Sequence, residues 1–252
     1  MNREGEHTNG IGQESVIMLR SKASCAFFLI SMFLLSVQSP ILLADSEISE
    51  TSGRSQTTWS GNVVLNNHYT IPVTDELVIS PCTNVTMSNG VRIYVEGRIT
   101  VEGTSTCPVY FDYSGGGDHM GIQFNSSSNG RGSKIDNASI IHSTYGITIY
   151  GSDPYLANVT IWNPDDVGVD LFNSATPTIR NLVIDEAGQD WNFPNYWRYG
   201  IGLSIGAGSA PNIDGLFVND AVTRGLNIWG SSGGLIRNLT LTNICLLYTS
   251  PS

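Results

Sequence analysis

The sequence predicts an all-β solenoid, a stack of short parallel strands in about 7–8 coils of roughly 22–25 residues each. Three observations carry this expectation. One phrase returns four times: GITIYGSDPYLANVTI (146–161), GVDLFNSATPTIRNLVI (168–184), GLSIGAGSAPNIDGLFV (202–218) and GLNIWGSSGGLIRNLTL (225–241). Its opening glycines, Gly146, Gly168, Gly202 and Gly225, stand 22, 34 and 23 residues apart. Within each phrase apolar residues alternate at the strand period, and no amphipathic helix pattern follows residue 44. Charged residues are only 13 % of the chain while Gly, Asn, Ser and Thr abound, the composition of many tight turns between short strands. A unit of this size cannot bury its apolar face alone, so the copies must stack.

The elements follow in chain order. Arg20 and Lys22 precede an apolar stretch (23–37) and a small-residue exit at Leu42, Leu43 and Ala44, the pattern of a secretion signal. Met18 is then the start of translation, and residues 1–44 divide into an upstream extension and a signal peptide. The competing reading is an uncleaved anchor, because 23–44 is just long enough to span a bilayer apart from Pro40. Either way the expected location is extracellular or at the cell surface. Residues 45–58 are polar and Ser-rich and read as a flexible linker. From Asp45 onward 19 acidic residues face 9 basic ones, the same excess as in the whole chain, whose net charge is -10. With no Lys/Arg cluster, nucleic acid and anionic membranes are poor partners, and membrane insertion is expected only through an uncleaved signal or an anchor beyond residue 244.

The solenoid proper is expected over residues 59–244. Cys25 belongs to the signal and Cys245 to the tail, which leaves Cys82 and Cys107 as a pair in an exported chain. A disulfide is the expected outcome, since their spacing of 25 is about one coil. Closing that loop contributes about 3 kcal/mol. Before the regular repeat the chain reads Leu77-Val-Ile-Ser-Pro-Cys-Thr-Asn-Val, then Ile93-Tyr-Val-Glu-Gly-Arg-Ile-Thr-Val-Glu-Gly-Thr, then Pro108-Val-Tyr-Phe. In these residues it resembles right-handed parallel β-helix proteins of the pectate-lyase-like superfamily, whose entry often runs LxIxPGTxV, IxVxGxLxAxGT and PIxF. Cys82 stands where glycine is usual. The resemblance covers 59–244 and implies a right-handed parallel β-helix. It implies no single activity, because that fold hosts lyases, hydrolases, adhesins and proteins without catalysis.

Inward positions should form columns, with Ile147 and Ile149 over Val169 and Leu171, Leu203 and Ile205, and Leu226 and Ile228. Ile135, Leu156, Ile179, Ile213 and Ile236 form another. Asn137, Asn158, Asn181 and Asn238 share one repeat position, with Gly215 substituting once, and are expected to form a turn ladder. Asn84, Asn125 and three of the ladder asparagines are also N-x-Ser/Thr sequons. Pro154, Pro177 and Pro211 make a third column. The string Gly202-Leu-Ser-Ile-Gly206 matches a serine-hydrolase motif that needs a strand–turn–helix elbow. Here it is in register with the other repeats, so Ser204 is an outward strand residue.

Function is sought where outward residues break the pattern. Thr148 and Tyr150, Asp170 and Phe172, Ser204 and Gly206, and Asn227 and Trp229 should form a stripe of polar and aromatic groups on one face, suited to an extended sugar chain. The 34-residue repeat inserts a loop, 186–199, that carries Trp191, Phe193, Tyr196, Trp197 and Tyr199. Insertions in solenoids map to surface loops, often on the binding face. The loop is expected to fold over Gly206, the one gap in the stripe. Expected ligand contacts are therefore Tyr150, Asp170, Phe172, Trp191, Trp197, Asn227 and Trp229.

No catalytic residue is assignable by motif; Asp165, Asp166 and Asp170 are the best carboxylate candidates. Asn163-Pro-Asp-Asp is similar to the paired-aspartate motif of polygalacturonase-like enzymes, but their His-Gly and Arg-x-Lys signatures are absent. His68, His119 and His142 form no metal pattern, and no cofactor is implied. Ca2+ enters only with a lyase reading, which would also need Arg180 or Arg198 as its base. The final octapeptide, 245–252, breaks the register and resembles a translated sequencing-library adapter. It is expected to be non-native, with the natural chain cut off near Ile244. The sequence thus points to a secreted or cell-surface module that binds a polysaccharide or surface glycan, or is adhesive or structural. The alternative is a polysaccharide lyase or glycoside hydrolase acting on acidic or extended polysaccharide.

Overall fold

Each repeat becomes three strands separated by tight corners. The computed structural model describes residues 54–189 and 199–244, with the backbone of two further strands, Val16–Leu19 and Leu246–Thr249. The first of these runs antiparallel to residues 234–237 and the second parallel to Arg224–Ile228. The expected signal, the adapter-like tail and the linker before Arg54 otherwise lie outside the described residues.

Eight coils stack in register as a right-handed parallel β-helix, with no helix beyond a single 3-10 turn at Ser126–Ser128 among the described residues. The first sheet collects Ser55–Trp59, Asp75–Ile79, Arg98–Glu102 and residues 134–136, 155–157, 178–180, 212–214 and 235–237. The second begins with Asn62–Leu65, Asn84–Met87 and Val109–Tyr113 and continues through residues 138–141, 159–162, 182–185 and 216–219. The third holds Tyr69–Ile71, Ile93–Val95, Ile122–Phe124, residues 147–150 and 169–172, Ile201–Ile205 and Arg224–Ile228. Both aliphatic columns expected from the alternation are present, and their members are buried. A third column, Val85, Phe111, Ile140, Ile161, Ile184 and Val218, lines the second sheet.

The corner between the first and second sheets explains the asparagines. Asn137, Asn158, Asn181 and Asn238 have φ of 48, 50, 50 and 51°, the left-handed region that asparagine tolerates. Asn181 donates to Asn158 Oδ1 at 3.0 Å and Asn158 to Asp136 Oδ1 at 3.1 Å, so the ladder is hydrogen-bonded between coils. Cys82 occupies the same kind of corner with φ 61°, the left-handed geometry for which glycine is usual. It is disulfide-bonded to Cys107 of the next coil, with Cα atoms 4.7 Å apart.

The repeat's opening glycines have a steric cause. A β-carbon on Gly168 would lie 2.6 Å from Ile184 Cγ2 and 2.7 Å from the Gly202 carbonyl, and Gly146 and Gly202 meet the same crowding one coil away. The third sheet starts here, against the side chains of the second. Gly168→Ala is therefore expected to lower unfolding free energy by about 2 kcal/mol, measured by urea titration.

The third corner holds a feature that sequence reasoning missed. Ser128, Ser152 and Ser209 are buried; Ser128 and Ser152 hydroxyls share a hydrogen bond of 2.8 Å, and Ser209 Oγ accepts from the Ala175 N–H at 3.2 Å. The signal was present, since Ser152, Ala175 and Ser209 each stand two residues before a column proline.

Candidate functional site

The outer face of the third sheet is where the repeat's variable residues gather. Tyr94, Gln123, Thr148, Asp170, Ser204 and Asn227 are in direct register, one per coil. Two residues further along each strand come Glu96, Asn125, Tyr150, Phe172, Gly206 and Trp229. Thr148 and Ser204 are buried, whereas Gln123, Asp170 and Asn227 are half-buried. Tyr150 and Phe172 meet edge to face with centroids 5.0 Å apart, and Tyr150 and Trp229 are 39 % and 42 % exposed.

The gap at Gly206 is closed from above. A β-carbon there would overlap Cε2 and Cζ2 of Trp229 and lie 2.5 Å from its Nε1. The indole of the following coil thus lies in the space that glycine leaves, and its Nε1 donates to Ser204 Oγ at 3.2 Å. The expectation that the inserted loop folds over Gly206 falls on residues 190–198, which lie outside the described residues. The loop's stems lie at the other end of strand Ile201–Ile205. Gly188 N–H donates to Pro164 O at 2.8 Å and Gly200 N–H to Asp165 O at 3.1 Å. Gly188 and Gly200 themselves touch, since a β-carbon on Gly188 would lie 2.5 Å from Gly200 Cα. The insertion leaves and returns at one point, so coils 5 to 7 keep their register. Trp191 and Trp197 lie outside the described residues.

The other candidates separate by position. Asp165 and Asp166 sit at the corner entering the third sheet, 8 % and 7 % exposed, beside the loop stems. Asp170 is several residues along the strand, in the polar column. The three aspartates therefore occupy two places rather than one cluster. Arg180 is on the first sheet, 2.9 Å from Asp214.

Toward the N-terminal coils the same face carries a network that the sequence did not disclose. Arg92 donates from Nε to Met120 O at 3.0 Å and from Nη1 to Gln123 Oε1 at 2.6 Å. Its guanidinium lies 5.9 Å from the Tyr94 ring centroid and 5.4 Å from that of Tyr145. Gln123 in turn donates to Asn125 Oδ1 at 2.7 Å, and the Glu96 carboxylate accepts from Asn125 and Ser127. The only available signal was that Arg92, Gln123 and Asn125 fall at outward third-sheet positions in adjacent coils.

His119 lies at the corner before Gly121 and is fully buried. Its Nδ1 accepts from Gly121 N–H and its Nε2 donates to Ile141 O, both at 3.0 Å, which sets a neutral tautomer. Burial lowers its pKa to about 4, against weaker opposing contributions from the Ile141 carbonyl, Asp112 and Asp118. It is a staple between coils.

A family described as right handed beta helix region matches residues 74–244. Neither a curated protein nor a solved structure matches the chain.

Proposed function

The chain belongs to the right-handed β-helix family, and on that premise we propose that it is an exported glycan-binding module whose ligand lies on the third sheet. The observation that carries the reading is the row of Tyr150, Phe172 and Trp229 beside the polar column of Gln123, Asp170 and Asn227. Aromatic rings pack under the C–H faces of sugars, and carboxylate and amide groups bond their hydroxyls. Rings fixed on a stacked sheet are preorganised, so little ordering cost is left for binding. The Cys82–Cys107 disulfide supports an oxidising, extracellular setting. Tyr150→Ala is expected to weaken glycan retention about fivefold in affinity electrophoresis, as removal of one stacking ring should. Unchanged mobility of both Tyr150→Ala and Phe172→Ala would end this proposal.

One observation favours the second reading, a polysaccharide lyase or hydrolase. Asp165 and Asp166 are adjacent carboxylates held largely out of water at the loop stems. Reducing-end or unsaturated-uronate product from the wild type, lost in Asp166→Asn, is the result this reading requires.

A further inference from the structure

Resting on the exported setting proposed above and not on glycan binding, we infer that Asn84 is a site of N-linked glycosylation, with the first sugar seated against the ring of Tyr110. The chain carries five Asn-x-Ser/Thr sequons, at Asn84, Asn125, Asn137, Asn158 and Asn238. Whenever the sugar is added, the finished coil must accommodate it. What each amide already does in the stack therefore separates the five.

Four of the amides are in use. Asn137 donates from Nδ2 to Gly103 O at 3.2 Å and to Asp136 Oδ1 at 2.9 Å, which takes both of its hydrogens. Asn158 donates to Asp136 Oδ1 at 3.1 Å and Asn238 to Asp214 Oδ1 at 2.7 Å, each a bond to the coil before it. All three stand at the left-handed corner, with the amide turned toward the neighbouring coil. Asn125 donates to Glu96, which also accepts from Ser127, so one carboxylate holds both ends of that sequon.

Asn84 differs. It opens strand Asn84–Met87, in which Val85 and Met87 face the core while Asn84 and Thr86 face out. Asn84 is exposed, and among the described residues neither its side-chain amide nor the Thr86 hydroxyl has a hydrogen-bond partner. Its neighbours in register are Asn62 of the preceding coil and Tyr110 of the following one. Tyr110 is 41 % exposed, and Val64 on the same face is 61 % exposed. A sugar on Asn84 Nδ2 thus meets a ring one strand spacing away, about 4.8 Å, and covers apolar surface that the coils leave open. The π face of the ring suits the C–H face of a pyranose.

The reaction is transfer of an oligosaccharide from a lipid diphosphate donor. Asn84 Nδ2 bonds to C1 of the reducing-end sugar and the C1–O bond to phosphate breaks. The lipid diphosphate leaves with the electron pair, and Nδ2 gives up one proton. The fold loses no hydrogen bond in this step.

The test is expression of the full chain, with its own N-terminal segment, in a host whose secretory pathway contains an oligosaccharyl transferase. Protein from the medium is treated with a glycan-releasing amidase in heavy-oxygen water. Each formerly modified asparagine then appears as a labelled aspartate in peptide mass spectrometry. Asn84 should be labelled in most molecules, and Asn125 and Asn137 about fivefold less, since modification there breaks a hydrogen bond of the fold. Asn84→Gln and Thr86→Ala should each abolish modification of this strand. Enzymatic removal of the glycan should lower the urea midpoint of the wild type and leave that of Tyr110→Ala unchanged. Secreted protein with Asn84 bare, or labelled no more than Asn137, would overturn the assignment while leaving export intact. An equal loss of midpoint in Tyr110→Ala would overturn the seat of the sugar. Failure of the chain to leave the cell would remove the exported setting and this site with it.

Discussion

Acidification from pH 7 to pH 4 is expected to remove about 3 kcal/mol of stability through His119 alone. An exposed histidine titrates near 6.5, whereas the folded protein holds His119 at about 4, chiefly because burial disfavours the imidazolium. Its folded-state pKa is depressed, so between these values the unfolded chain binds more protons than the native one. The contribution of the neutral imidazole is thus complete above pH 6.5 and falls away as the pH drops toward 4. The geometry gives the same sign. Protonation would put a hydrogen on Nδ1, where the Gly121 N–H already points, and convert one hydrogen bond into a clash of donors. Carboxylates also titrate at the lower end of this range, so the measurement is a difference. Urea unfolding of wild type and His119→Gln at several pH values should show the variant losing about 3 kcal/mol less between pH 7 and 4. Parallel pH profiles would refute the assignment.

Gly206→Ala is expected to weaken glycan binding tenfold or more, although it adds one methyl group to a residue that need not touch the sugar. The new β-carbon would occupy the position of the Trp229 ring, so the indole must leave and its bond to Ser204 must break. The variant should therefore bind like Trp229→Ala. Because Trp229 is already 42 % exposed, the global cost should stay near 1 kcal/mol, well below that of a core cavity. Near-ultraviolet circular dichroism reports the displaced ring, urea titration the stability and affinity electrophoresis the binding. A variant with wild-type affinity and an altered Trp signal would detach the ring from ligand recognition.

The columns were legible because strand alternation and a returning phrase define which residues point inward. Ile135, Leu156, Ile179, Ile213 and Ile236 could be aligned without coordinates, as could the asparagine corner, because left-handed φ restricts the residue types that fit. The corner entering the third sheet was not legible. His142, Asn163, Glu186, Asp220 and Asn243 all have φ between 49 and 57° there, but Asn or Asp stands at only three of the five. Arg92 escaped notice because its partners Met120, Gln123 and Tyr145 come from two later coils.

By itself the sequence determined the coil: its length, its three strands, its inward columns, the Cys82–Cys107 pairing and the face on which variable residues collect. These follow from local periodicity and from restrictions on backbone angle, both properties of neighbours along the chain. Only the tertiary structure decided how that face is filled. Gly206 looked like a gap in the aromatic stripe, and it is the seat of Trp229 from the next coil. Asp165, Asp166 and Asp170 stood together as carboxylate candidates, and the first two sit at the corner entering the third sheet while Asp170 lies along its strand. Both outcomes depend on distances of a few ångströms between coils, where a bulky side chain takes whatever space its neighbour in the stack leaves open.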